Sequence, residues 1–189
     1  MRLLAPRFPA RHLPAMLAVA GAGAVVAGVY GALHDQVSYA VSPEYFTRMK
    51  FRQFAWADAG WPPRAFASAI GFLATWWVGL FAGWFLARAG LAEIPRPARR
   101  RHVIRSFAIV FAAAVVTGTL GATLGLVVTH FTDLSGWRDA EQALELEDLR
   151  GFVVVAYLHA AGYLGAAVGL VLAIWYVRRI VTRERSPGE

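Results

Sequence analysis

Four stretches of the chain are apolar without interruption, and the segments between them mix charge, proline and aromatic residues. The apolar runs fall at roughly Pro14–Leu33, Ala65–Ala87, Ser106–Thr129 and Phe152–Val177. Each holds about 20 residues or more without Asp, Glu, Lys or Arg, enough for a helix rising about 1.5 Å per residue to cross a hydrocarbon core about 30 Å thick. Spanning strands would need a closed barrel and an alternating pattern, which these runs lack. The pattern predicts an all-α fold: an integral membrane four-helix bundle, forming one domain over residues 1–189.

The spans carry small residues at four-residue spacing: Ala24 and Gly28, Gly79 and Gly83, Gly121 and Gly125, Gly165 and Gly169. Small residues at this spacing let helix backbones approach closely. Packing within one bundle is the expectation, with pairing of two copies through one such face as the alternative. No internal repeat is visible, so an inverted-repeat transporter is not expected.

The connection from His34 to Pro63 is long for a compact bundle. Ser42 followed by Pro43 and Glu44 reads as a helix start: a capping hydroxyl, proline at the first helical position, and an acid at the positive end of the dipole. The helix should run to about Ala57 and stop before Gly60 and Pro62-Pro63. It places Tyr45, Phe46, Met49, Phe51, Phe54 and Trp56 beside Arg48, Lys50 and Arg52. That mixture suits an interfacial helix in the headgroup region, or a lid over the bundle mouth. A second, polar helix is expected over roughly Gly136–Arg150, with its acids facing solvent.

Composition sharpens the class. Hydrophobic residues make up 58% of the 189 and charged residues 16%, against about 45–50% and about 25% in soluble domains. The net charge of +7 does not point to nucleic acid, because the basic residues cluster at span ends, where orientation signals sit. Arg2, Arg7 and Arg11 precede the first span, six arginines from Arg88 to Arg105 lie between the second and third, and Arg178, Arg179, Arg183 and Arg185 follow the fourth. The opposite side holds Arg48, Lys50, Arg52, Arg64, Arg138 and Arg150. The positive-inside rule then puts both termini in the cytoplasm of a bacterial cytoplasmic (inner) membrane, with the lipid bilayer as the principal partner. A basic leader before an apolar run also fits a cleavable signal peptide. The length of the run, and the lack of a small-x-small site before His34, favour a retained span. The chain has no cysteine, which excludes disulfides, thiolate metal sites and iron–sulfur clusters.

Three of the five histidines, His34, His130 and His159, fall toward the outer ends of spans. Tyr30 and Tyr163 stand one turn deeper than His34 and His159 and share their helix faces. Thr119 and Thr123 run in a stripe with His130, and Ser68 with Thr75, so a polar lining of the outer half is expected from all four helices. Tyr45 is expected near this pocket. Asp35 and Glu44 complete a possible ligand set: imidazoles with carboxylates are the donors of zinc or non-haem iron, a divalent transition metal. No local motif such as HExxH accompanies them. A b-type haem held between His159 and His130 or His34 is an alternative, although such bundles usually carry two histidine pairs. A further alternative is a non-enzymatic subunit or scaffold whose outer loops dock a membrane or periplasmic protein. His12 and His102 lie in basic segments and are expected to face solvent. The inner half of the spans has few polar residues beyond Thr75 and Thr117, which argues against a through-membrane ion path. No phosphate loop, nucleophile elbow or dinucleotide fingerprint is present, so no reaction is assigned.

The string HDQVSYAVSPEYF, from His34 to Phe46, followed by KFRQF, Lys50 to Phe54, resembles a family of small four-span bacterial membrane proteins of unassigned function. The resemblance covers about 20 residues. It implies a four-span protein with a distinctive first outer loop and implies no activity.

Overall fold

The computed structural model describes residues 10–185. Four long helices dominate: α1 (Leu13–Val41), α3 (Pro63–Leu86), α4 (Arg96–Phe131) and α6 (Leu149–Arg185). Two short ones, α2 (Phe51–Gln53) and α5 (Arg138–Leu144), lie in the connections. No strand occurs among the described residues. Each long helix is long and apolar enough to cross a membrane. Their outward faces carry Val25, Val29, Leu33, Phe81, Phe85, Leu120, Leu124, Leu164 and Val171, all exposed. Contiguous apolar surface on this scale requires an apolar solvent, so the chain is a multi-pass membrane protein with the all-α bundle architecture.

The bundle is two tight helix pairs, α1 with α3 and α4 with α6, that touch each other only lightly along most of their length. Glycine makes the pairs tight. Gly23 and Gly79 stack backbone on backbone, as do Gly31 and Gly71, so that a Cβ on any of the four would collide with the opposite main chain. The second pair closes the same way: a Cβ on Gly125 would lie 2.9 Å from the Cα of Val154, and one on Gly169 would lie 2.8 Å from the Cα of Val110. Hydroxyls reinforce the first pair. Thr75 Oγ1 donates to the Ala27 carbonyl at 2.7 Å, and Ser68 Oγ donates to the Ala32 carbonyl at 3.2 Å. Such interhelical bonds contribute about 0.6 kcal/mol each on average in a membrane.

Between the pairs, the two ends are plugged and the middle is not. At the end bearing the termini, Met16, Val19, Leu86, Leu91, Ile94, Phe107 and Val177 form one apolar cluster. The α3–α4 turn belongs to it. Gly90 turns the chain there at φ 137°, a conformation open to glycine and strained for other residues. At the opposite, loop end, Tyr45, Phe46, Leu146, Phe152 and Val155 form a second cluster.

Several elements run past the apolar runs that announce them. α1 continues to Val41, so His34, Asp35 and Ser38 belong to the helix rather than to a loop. α4 begins at Arg96, ten residues before its apolar stretch. The first loop is helical as expected, with a π-helical stretch at Tyr45–Lys50, α2, and a short 3-10 turn at Ala55–Ala57. Ser42 Oγ accepts the Tyr45 N–H at 3.4 Å, the capping role its position suggests. Phe46 is fully buried and Tyr45 nearly so, so this segment packs over the bundle mouth. The expected Gly136–Arg150 helix is shorter. Glu145 takes a left-handed conformation (φ 52°, ψ 52°) and ends α5, after which buried Leu146 anchors the chain to the loop-end cluster.

Two histidines expected in solvent are instead packed. His102 is buried between α4 and α6, with Nδ1 2.9 Å from the Tyr176 hydroxyl. His12 is half-buried, and its Nδ1–H donates to the Ala92 carbonyl at 3.2 Å. Both helices extend past the apolar runs here and give these rings a protein surface to pack on. Of the leader arginines, Arg2 and Arg7 lie outside the described residues.

Candidate metal centre

The light contact between the helix pairs leaves a cavity of about 90 Å³ between them. Its walls are almost entirely apolar along α1, α3, α4 and α6. Its loop end is polar, and there α1 contributes His34 and Asp35, α6 contributes His159, and the lid segment contributes Lys50. His34 stands seven residues before the end of α1, and His159 stands ten residues into α6. The helices are antiparallel, so the two residues reach similar depth. Their rings meet edge to face with centroids 4.9 Å apart.

One ligand atom from each of His34, Asp35 and His159 lies within 4.8 Å of the others. Asp35 Oδ1 is 3.9 Å from His159 Nε2. Metal–ligand bonds of about 2.0–2.2 Å would set donors about 3.4 Å apart in a tetrahedron, so the three side chains need move only about 1 Å to share an ion.

The surroundings fix these groups. The Ser38 hydroxyl donates to the His34 carbonyl at 3.1 Å and lies 3.1 Å from His159 Nε2. The Ser38 hydroxyl thus links the His34 main chain to the His159 ring and fixes the orientation of that imidazole. Tyr45 stacks on the other side of His159, centroids 5.0 Å apart and planes 19° apart. Tyr30 stacks on His34 at 5.6 Å, and Tyr163 flanks His159 at 6.2 Å. Asp35 is different. It is 5% exposed and opens on the cavity, and no hydrogen bond to its carboxyl group is found among the described residues, His159 Nε2 standing 3.9 Å away. Buried carboxyls ordinarily take hydrogen bonds or a cation. Lys50 supplies a cationic group on the same cavity, its ammonium 5.8 Å from the Tyr45 ring. Burial pushes the Lys50 ammonium below the ordinary lysine range, and the charge of Asp35 works in the opposite direction. Burial raises the Tyr45 phenol, and the nearby Tyr163 and Asp35 add to this.

Two residues suggested by the sequence do not reach this cluster. His130 is exposed and packs edge to face on Phe131. The neighbouring Thr129 takes the buried position on α4, and one residue turns a helix by about 100°, so His130 points away from the bundle. Thr119 and Thr123 are also exposed and return their hydroxyls to their own helix carbonyls. The polar lining therefore comes from α1, α6, the lid and Thr75 of α3, with α4 contributing apolar wall. Glu44 serves the backbone instead. Its carboxylate accepts the N–H groups of Glu147 at 3.1 Å and Asp148 at 2.7 Å, just ahead of α6. Arg48 joins the same loop, 3.4 Å from Glu145 and 3.7 Å from Glu147. These contacts strap the lid to the second loop, while Glu145 and Glu147 stay exposed to solvent as expected.

Ser38 and Lys50 were invisible as site residues in the sequence. Ser38 repeats His34 one helical turn later, a signal that depends on α1 continuing past its apolar run. Lys50 arrives only because the lid folds back. Neither protein-family models nor curated proteins nor solved structures match this chain.

Proposed function

We propose that His34, Asp35 and His159 bind a divalent transition metal inside a membrane-embedded cavity, and that the bound ion is the working centre of the protein. The observation that carries this reading is Asp35. A buried carboxyl without a hydrogen-bond donor, within 4.8 Å of two imidazoles, has the environment of a metal ligand short of its metal. Two imidazoles and a carboxylate suit zinc or iron(II). Three protein ligands leave a coordination position free, the arrangement of catalytic rather than structural sites. His34, Asp35 and His159 all line the cavity, from which a further ligand would reach an ion they held.

Metal analysis of protein purified in detergent tests the reading. Wild type is expected to retain close to one equivalent of a transition metal, and His159→Ala to retain none. Wild type that takes up no metal from zinc, iron(II) or manganese solutions overturns the site.

The location of the centre follows from the basic residues. We place the termini and the Arg99–Arg101 segment in the cytoplasm of a bacterial inner membrane, which sets the lid and the metal centre toward the outer face. The chain has no native cysteine, so single cysteines report cleanly. A cysteine replacing Arg100 should resist a membrane-impermeant maleimide in intact cells, and one replacing Glu145 should react. The reverse pattern inverts the assignment.

A further inference from the structure

The cavity beneath the metal centre has a shape and polarity of its own. Its charged and imidazole groups sit at one end, and below Tyr30 and Thr75, whose hydroxyl is bonded to main-chain carbonyls, it is hydrocarbon-lined down to Ala82, Val110 and Ala166. Its volume of about 90 Å³ compares with about 150 Å³ for an apolar cavity that takes up benzene, so it suits one narrow chain and not two. The loop-end cluster and the Glu44 and Arg48 straps cover the mouth toward the loops. Tyr163 lines the cavity and is nonetheless 50% exposed on the outer surface of α6. At that edge the cavity borders the lipid-facing side of the bundle. A ligand reaching it there arrives from the bilayer.

Charge selects the head of that ligand. Lys50 faces the same space as the metal ligands. An ammonium beside a bare divalent cation is repulsive, and an anionic oxygen between them removes the repulsion while filling the open coordination position. We infer that the site takes a single-chain amphiphile with an anionic oxygen head, a fatty carboxylate in its simplest form, with its head between the metal and Lys50 and its chain in the cavity. This rests on the metal reading above.

Gly162 offers a way to fill the cavity without disturbing the helix pairs. It lines the cavity, and a Cβ there would meet only the Ala114 carbonyl oxygen, at 3.9 Å. The experiment measures the melting temperature of the full chain in detergent with acetate, butanoate, hexanoate or octanoate, and the metal content of the same samples. Apparent affinity for wild type should rise with chain length by up to about fourfold per methylene over the shorter acids, and level off at octanoate, whose chain outgrows the cavity of about 90 Å³. Gly162→Leu should keep its metal and lose this dependence, and Lys50→Met should bind octanoate at least tenfold more weakly. Ala74→Leu, on the facing wall of the cavity, serves as a second filling variant should Gly162→Leu not fold. An octanoate effect equal in wild type and the folded filling variants, or absent from wild type, overturns the inference. Metal retained without an octanoate effect sinks the ligand alone. An octanoate effect in a chain that never takes up metal sinks the metal reading and leaves the chain-binding cavity.

Discussion

Gly79→Leu is expected to yield no monodisperse protein in detergent, or a melting temperature lower by more than about 10 °C. A Cβ at this position would strike the Gly23 backbone, and main chain cannot rotate aside as a side chain can. Overpacking a core ordinarily costs about 1–3 kcal/mol. Here a whole isobutyl group must enter a backbone-to-backbone contact, so the α1–α3 pair must part along much of its length. Parting it also strains the Thr75 bond to Ala27, which needs the same close approach. Gly21→Ala is the control. Gly21 lies on the same helix with nothing within 4 Å of its Cβ position, and alanine there should stabilise by about 0.5–1 kcal/mol through helix propensity. Size-exclusion profiles and thermal unfolding of the two variants decide the matter. Equal behaviour would mean that the glycines do not set the helix spacing.

Asp35→Asn is expected to do two opposite things. Metal affinity should fall by more than about a hundredfold, since even partners outside the ligand set are worth 10–100-fold. The metal-free protein should become more stable, by about 1 kcal/mol, or about 2–4 °C for a chain of this size. The reason is the setting of Asp35, buried and without a donor in reach, its nearest partner His159 Nε2 at 3.9 Å. A neutral amide of the same shape is cheaper to keep out of water than a carboxylate. The sign of the stability change separates the readings. A residue kept for architecture loses stability on replacement, whereas a residue kept for a metal gains it when the metal is absent. Unfolding curves recorded with chelator and with added zinc give both numbers, and a less stable metal-free variant would make Asp35 structural.

The spans were legible because exclusion of charge over about 20 residues is a property of the solvent around a helix, and it shows in the sequence before any packing does. Gly79, Gly125 and Gly169 were legible as contacts for a related reason, since only close approach rewards small residues at that spacing. What did not show was where the helices end and which way single residues point. An apolar run marks the part of a helix in lipid, and α1 and α4 continue beyond theirs on contacts with protein. Asp35 and Ser38 lie in that hidden extension, which is why they read as loop. His130 matched His34 and His159 in depth, but its angle around α4 was set by buried Thr129 and by Gly125 packing on α6. Glu44 had the chemistry of a ligand, and the unpaired N–H groups ahead of α6 claimed it first.

The division into two pairs bears on how the protein is made. Helices α1 and α3 are consecutive spans, as are α4 and α6, so each tight pair is complete within one half of the chain. Each half can close on the membrane as it leaves the ribosome, without waiting for the other. The cavity is then the seam between two finished halves, with His34, Asp35 and Lys50 on one side and His159 on the other. A break in the turn around Gly90 would leave both halves intact and the centre divided. The last step of assembly and the birth of the site are therefore the same event.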